Sequence, residues 1–213
     1  MADSVGFDDL AIMLRAAAAK VVSEHETLSR LDSATGDGDH GTTMRRAMMV
    51  GLRAMDACTS RDLASLLNDV GWAILGVDGG ATGPLLGTFF IGMSEAAGGR
   101  QMLDASALAE VFEGAVAAVR RQTKAQVGDK TMIDALVPAV EALRAAAKAG
   151  EGPRAALAKA AEAAARGAAS TKDLRAKFGR ARNLGDRSIG SPDPGATSVS
   201  LLFRGFADAI AAR

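Results

Sequence analysis

Apolar residues recur along most of the chain at three- and four-residue intervals, the spacing that gathers them on one face of a helix. Phe7, Leu10, Leu14, Ala17, Val21 and Leu28 drift along one such face and predict a first helix over residues 7–31. The same pattern predicts seven more, over 43–57, 61–75, 83–97, 105–122, 131–148, 154–171 and 196–211. Local signals sharpen some of the ends. Ser60 suits the N-cap of the third helix, Asp104 that of the fifth, and Pro153 the first turn of the seventh. Pro138 falls inside the sixth, where it predicts a kink or break. The seventh, PRAALAKAAEAAARGAAS, looks low in complexity, yet small side chains let helices approach closely, so it reads as a packed helix rather than a linker. No composition shift and no fixed-period repeat divides the chain. A single all-α domain over residues 1–213 is expected.

Composition narrows the picture further. Alanine, the best helix former, makes up roughly a fifth of the residues, while tyrosine is absent and aromatics amount to 4%. That excludes an all-β fold. Lys+Arg 25 balances Asp+Glu 25, so there is no global field to attract nucleic acid or an anionic membrane, and neither is expected as a partner. One cysteine, Cys58, excludes an internal disulfide and a cysteine-built zinc site. The opening MADSVGFDDL has acids where a secretory signal carries basic residues, and no run of about 18 uncharged apolar residues occurs. A cytoplasmic location is expected.

The unusual chemistry lies between the helices, in four connections: residues 32–42, 76–83, 124–131 and 173–195. These are the first, third, fifth and seventh in order, which an up-and-down helical arrangement brings out at one end. The first reads LDSATGDGDHGTTM and sets Asp32, Asp37 and Asp39 among glycines. Clustered carboxylates repel one another, and a hard divalent cation such as magnesium is the economical reason to gather them. A polar turn is the bland alternative; a calcium EF-hand loop is not, because its acid spacing and final glutamate are missing. The second, GVDGGATGPLLG, offers small residues directly before an apolar helix, which suits either phosphate binding or a flexible turn. It is not a Walker A motif, and kinase HRD and DFG triplets are absent. The third, KAQVGDKTM, and the fourth, GRARNLGDRSIGSPDPGATS, mix cations with glycine and proline. Arg180, Arg182 and Arg187 suit a phosphate clamp or plain solvation. The fourth connection is long enough for a functional loop or lid.

Other residues read as structural. His25 suits a solvated surface, Cys58 suits packing, and Trp72, Phe89, Phe90, Met44, Met48 and Met49 fall at helical spacings that suit a core.

Taken together, LDxxxGDGDHG, GGATGPLxGT, GDKTMIDAL and LGDRSxGSPDPGATS resemble the nucleotide-binding L subunit of dihydroxyacetone kinases, the unit that also forms the C-terminal domain of single-chain members. The resemblance runs from about residue 7 to the C-terminus. It implies a barrel of eight antiparallel amphipathic helices with the nucleotide site at one rim. It implies that Asp32, Asp37 and Asp39 bind two magnesium ions on the phosphates of ADP or ATP. The implied nucleotide contacts fall on His40, Gly41, Thr42 and Thr43, on Ala81 and Thr82, and on Thr123, Met132, Arg180, Asp193, Pro194 and Gly195. Arg180 joins the three aspartates as the implied catalytic set. Thr43, Thr82 and Thr123 depart from the asparagine, serine and glycine common at these places. The resemblance further implies a phosphotransferase subunit that is inactive alone. It passes phosphate to dihydroxyacetone, or another small ketose, held on a separate K subunit, and a phosphotransferase-system phosphoprotein recharges it. Relatives of this kind can also bind a transcription regulator, which leaves a regulatory role as the rival.

Overall fold

Helix follows the apolar spacing almost everywhere. In the computed structural model, which describes residues 4–212, the order is α1 Phe7–Ser23, α2 His25–Ser33, α3 His40–Ala57, α4 Leu63–Leu75, α5 Thr82–Ala97, α6 Ala105–Gln122, α7 Ile133–Lys148, α8 Pro153–Ser170 and α9 Pro194–Ala211. Met1 to Asp3, at the head of the stretch read for a signal sequence, lie outside the described residues. Of extended structure, the described residues hold an isolated antiparallel bridge between Val5 and Leu103. No helix among them is long and apolar enough to cross a membrane.

Four local expectations are corrected. The first helix divides at Glu24, whose backbone (φ −103°, ψ 9°) leaves the helical region. The apolar face continues through the break, so periodicity alone does not reveal it. His25 is half-buried rather than solvated, and its Nδ1 lies 2.9 Å from the Val22 carbonyl. Asp62, not Ser60, caps α4: its carboxylate accepts the Ser65 N–H at 2.9 Å, while the Ser60 hydroxyl accepts the Asp62 N–H at 3.2 Å. Pro138 does not break its helix, which runs unbroken from Ile133 to Lys148. Proline has no N–H to give the Asp134 carbonyl. A Cβ on Gly167 of α8 would lie 2.1 Å from that same oxygen, so the glycine lets α8 close over the place where a helical bond is missing.

Eight helices close a ring. Each of α3 to α9 packs on the next, and α1 joins α9 to α3, with α2 lying across the end against α3 and α9. Glycine also lets α9 close on α1: a Cβ on Gly205 would lie 2.3 Å from the Ala17 Cα. Inside the ring, Phe112 stacks with Phe203 (5.3 Å between centroids) and Phe206 (5.9 Å), and Phe89 reaches the same group at 6.1 Å. Met44, Met48, Phe89 and Phe90 are buried as expected, and the alanine-rich α8 buries Ala156, Leu157, Ala160, Ala161 and Ala164. Trp72 and Met49 are not core residues; they are 60% and 44% exposed. In the segment LASLLNDVGWAIL, Ser65, Asn68 and Asp69 share one face at three- and four-residue spacing, and Trp72 continues that polar face despite its apolar ring. The ring takes the Leu63, Leu67, Val70 and Ile74 face and leaves Trp72 outside. Cys58, at the end of α3, packs against the core.

Candidate functional site

All four connections meet at one rim of the ring, around a cavity of about 410 Å³. Asp32, Asp39 and His40 line it from the first connection, Gly79 to Thr82 from the second, Thr123 and Lys130 to Ile133 from the third, and Phe178 to Ala181 with Asp193 to Gly195 from the fourth.

The acidic side is built by a short helix that stops just in time. Asp32 sits in the last turn of α2, and the chain then turns through Gly36 and Gly38, the latter at φ +79°, to deliver Asp37 and Asp39 beside it. A Cβ on Gly36 would lie 2.5 Å from the Asp32 Oδ1, so a side chain there would obstruct the carboxylate. One oxygen from each of Asp32, Asp37 and Asp39 lies within 4.8 Å of the others. Oxygen donors at that spacing fit a hard divalent cation such as magnesium. Arg180 reaches across from the fourth connection and ion-pairs with Asp37. Arg182 and Arg187 are exposed and lie outside the cavity lining.

His40 joins three helix starts. Its backbone N–H donates to Asp32 Oδ2 at 3.2 Å, its Nε2 lies 2.8 Å from the Ser198 Oγ, and its Nδ1 lies 3.3 Å from the Thr82 Oγ1. The Ser198 hydroxyl donates to the Pro194 carbonyl at 3.0 Å, so toward the histidine it must accept. That assigns the proton to Nε2 and leaves Nδ1 to accept from Thr82. Burial pushes the ring's pKa down, favouring the neutral form this network needs, while Asp32 and Asp39 pull the other way.

The remaining residues of the first connection divide. Gly41 is buried, and a Cβ there would lie 1.8 Å from the His25 carbonyl, so its place is the α2–α3 crossing. Thr43 is buried against the second connection, where a Cβ on Gly79 would lie 2.5 Å from its Oγ1. Thr42 is exposed, and none of the three lines the cavity. Beyond Gly79 (φ +134°) and Gly80 (φ +54°), Ala81 begins α5 with no side-chain cap. Met132 does the same for α7. The α5 helix therefore presents an open N-terminus, with its partial positive charge, at the rim, whereas at α7 the Thr131 Oγ1 accepts the Ile133 N–H at 3.2 Å and the Thr131 carbonyl accepts the Asp134 N–H at 3.0 Å.

The third and fourth connections are interlocked. The buried Asp134 carboxylate accepts the N–H groups of Gly128 (2.6 Å) and Thr131 (2.7 Å). Between them Lys130 is forced to φ +60°, the left-handed region, which costs an L side chain about 1–2 kcal/mol. Lys130 is buried; its Nζ donates to the Thr171 carbonyl at 2.6 Å and also to the Ser191 carbonyl. Burial pushes the Lys130 ammonium pKa down, against Asp193, Asp134 and Asp173, which raise it. Asp193 caps α9 by accepting the Ala196 N–H at 2.7 Å, and desolvation pushes its carboxyl up to about 7 against the pull of that bond and of Lys130. The long fourth connection holds two short 3-10 turns, at Thr171–Asp173 and Arg180–Ser188, and buries Ala176 and Ser188. Neither Lys130 nor Ser198 was singled out by sequence reasoning. GDKTM showed a cation beside glycine and acid, but only the fold reveals that the lysine turns inward.

The model of the DAK2 domain matches residues 34–208, most of the chain. The chain belongs to the DAK2 domain family. It is 40% identical over 182 residues, 85% of this chain and 87% of the relative, to the PEP-dependent dihydroxyacetone kinase, ADP-binding subunit DhaL, of Escherichia coli K12. It is 36% identical over 197 residues to a D-erythrulose kinase of Mycolicibacterium smegmatis, where the match covers 92% of this chain but 34% of that protein. Among solved structures, the dihydroxyacetone kinase of C. freundii in complex with AMP-PNP and Mg2+ superposes with a TM-score of 0.70 at 28% identity. That match covers 93% of this chain, which spans about a third (33%) of the kinase chain. The eight-helix ring with four chemical connections at one rim is thus a DAK2 domain fold.

Proposed function

We propose that this DAK2 chain is the nucleotide-carrying L subunit of a dihydroxyacetone kinase, a single domain that binds ADP or ATP with two magnesium ions. Three carboxylates lie within 4.8 Å of one another, Asp32 and Asp39 line the cavity, and the uncapped N-terminus of α5 opens onto the same space; that convergence carries the reading. Acids collect divalent cations, helix N-termini collect phosphate, and a magnesium nucleotide brings both.

Asp32, Asp37 and Asp39 are the residues that would hold the metal ions, whose chemistry when bound is to neutralise the phosphate oxygens. Neutral His40 orients the starts of α3, α5 and α9 through Asp32, Thr82 and Ser198. Ala81 and Thr82 turn the α5 N–H groups toward the phosphates, with Gly41, Thr42 and Thr43 supporting that edge. Thr123, Met132, Asp193, Pro194 and Gly195 form the opposite wall, and Arg180 supplies a planar cation suited to phosphate oxygens. No nucleophile is needed from this chain, because phosphoryl transfer rests on positioning and charge neutralisation.

The acceptor ketose belongs on a separate K subunit, and a phosphotransferase-system phosphoprotein recharges the nucleotide in place. The ADP-binding subunit of Escherichia coli supports that arrangement, being similar over nearly its whole length. A coupled assay with magnesium, dihydroxyacetone and either ATP or the phosphoprotein donor tests it. No turnover is expected from the chain alone, and turnover on adding a K subunit. Robust activity without a K subunit would overturn the two-component reading.

A further inference from the structure

Lys130 combines three features that need one explanation. Among the described residues it is the non-glycine residue with positive φ, it is buried, and its ammonium is directed at main-chain carbonyls rather than at a carboxylate. Glycine would take that backbone freely, so a lysine there points to a use for the side chain. Its two acceptors lie 20 residues apart: Thr171 ends α8 and Ser191 precedes α9. The ends of the fourth connection are joined at the same place by the Gly190 N–H on the Lys172 carbonyl (2.8 Å) and the Asp193 N–H on the Thr171 Oγ1 (2.8 Å). The neighbouring Asp129 holds the middle of the connection, through its carbonyl on the Lys177 N–H and its carboxylate on the Lys177 Nζ at 2.7 Å.

We propose that Lys130 is a positioning residue whose ammonium straps the two ends of the 171–193 segment together and thereby sets where Arg180 and the turn at residues 193–195 meet a bound nucleotide. The second half of this inference rests on the nucleotide reading above; the strap itself does not. A lysine suits the task because its three N–H donors can serve two carbonyls at once, and carbonyls at a helix C-terminus favour a cation.

Hydrogen exchange on the full chain without nucleotide, followed by calorimetry with ADP and magnesium, tests both halves. Lys130→Met keeps the length and apolar stem but has no donors. Exchange across residues 172–193 is expected to rise at least tenfold with α4, α5 and α6 unchanged, and ADP affinity to fall about tenfold. Thr171→Val removes the Asp193 tie together with the hydroxyl's own bond to the Ala168 carbonyl (2.5 Å), and leaves the carbonyl that Lys130 uses in place. It should give the same pattern at about threefold, and the double variant should resemble Lys130→Met rather than the product of the two. If Lys130→Met fails to fold, Lys130→Arg is read in its place: it keeps the cation but not the compact ammonium that serves both carbonyls, and should give the same pattern. Unchanged exchange in 172–193, or a rise shared equally by α4 to α6, overturns the strap. Raised exchange with unchanged affinity overturns the positioning role. If the wild-type chain binds no ADP, the nucleotide reading falls, while the exchange data still decide the strap.

Discussion

On one side of the cavity, residues 32–39 gather three carboxylates within 4.8 Å of one another. On the other, residues 123–134 and 171–193 bury Lys130, Asp129 and Asp134, and each is matched to N–H or carbonyl partners. No buried side-chain nitrogen or oxygen among the described residues lacks a hydrogen-bond partner. The buried side is complete as it stands. The acidic side gathers three like charges and sets one arginine, Arg180, against Asp37, so room remains for a further cation to relieve the repulsion. Within a single rim, then, one wall concentrates like charge and the other is held by a satisfied polar network. Substitutions on the two walls should separate ligand affinity from stability.

The largest effect is expected on the acidic wall. Asp37→Asn and Asp39→Asn should each weaken magnesium-dependent ADP binding about 100-fold or more, equivalent to roughly 2.7 kcal/mol. Removing one of three like charges should not lower the melting temperature, and at Asp37 that relief offsets the loss of a solvent-exposed ion pair with Arg180, a kind of pair worth little. Calorimetry beside a melting curve reads both, and an unchanged affinity in either variant would break the contrast. The buried wall should behave the other way. Asp134→Ala strips the acceptor from two backbone N–H groups and should cost about 2–3 kcal/mol, lowering the melting temperature by roughly 4–12 °C. A melt within a degree of wild type would mean that this wall is not held by its polar network.

Away from the rim, Asp62→Ala sharpens the comparison as a reference with no ligand effect. Losing the α4 cap should cost about 1 kcal/mol and leave ADP affinity unchanged. The Ser65 amide and hydroxyl hold the Asp62 carboxyl below its ordinary pKa. A depressed carboxylate contributes stability above its unfolded pKa and loses it as the pH falls through the folded one. The difference between wild type and variant should therefore shrink in acid; a constant difference would assign the effect to something other than the charged cap.

Much of this was legible in the chain because helices announce themselves by spacing. The ring needed only eight amphipathic segments and short connections, and α6 matches its expected ends, residues 105 and 122. The acidic loop was legible for a related reason: short side chains separated by glycine within eight residues can converge without help from distant sequence. What the sequence concealed depends on long-range packing. Trp72 follows Ser65, Asn68 and Asp69 on one face of α4, so its spacing pointed outward while its apolar ring suggested the core. The break at Glu24 preserves the apolar face and leaves no mark in the pattern. Lys130 looks like any loop cation until Thr171 and Ser191, far along the chain, supply the carbonyls that bury it.

The central claim is that the acidic wall receives a metal nucleotide, and the most direct measurement is titration of the full chain with ADP, with magnesium and with chelator. Tight binding in magnesium that weakens at least 100-fold in chelator is the predicted result. Equal affinity in both, or none in either, would contradict it.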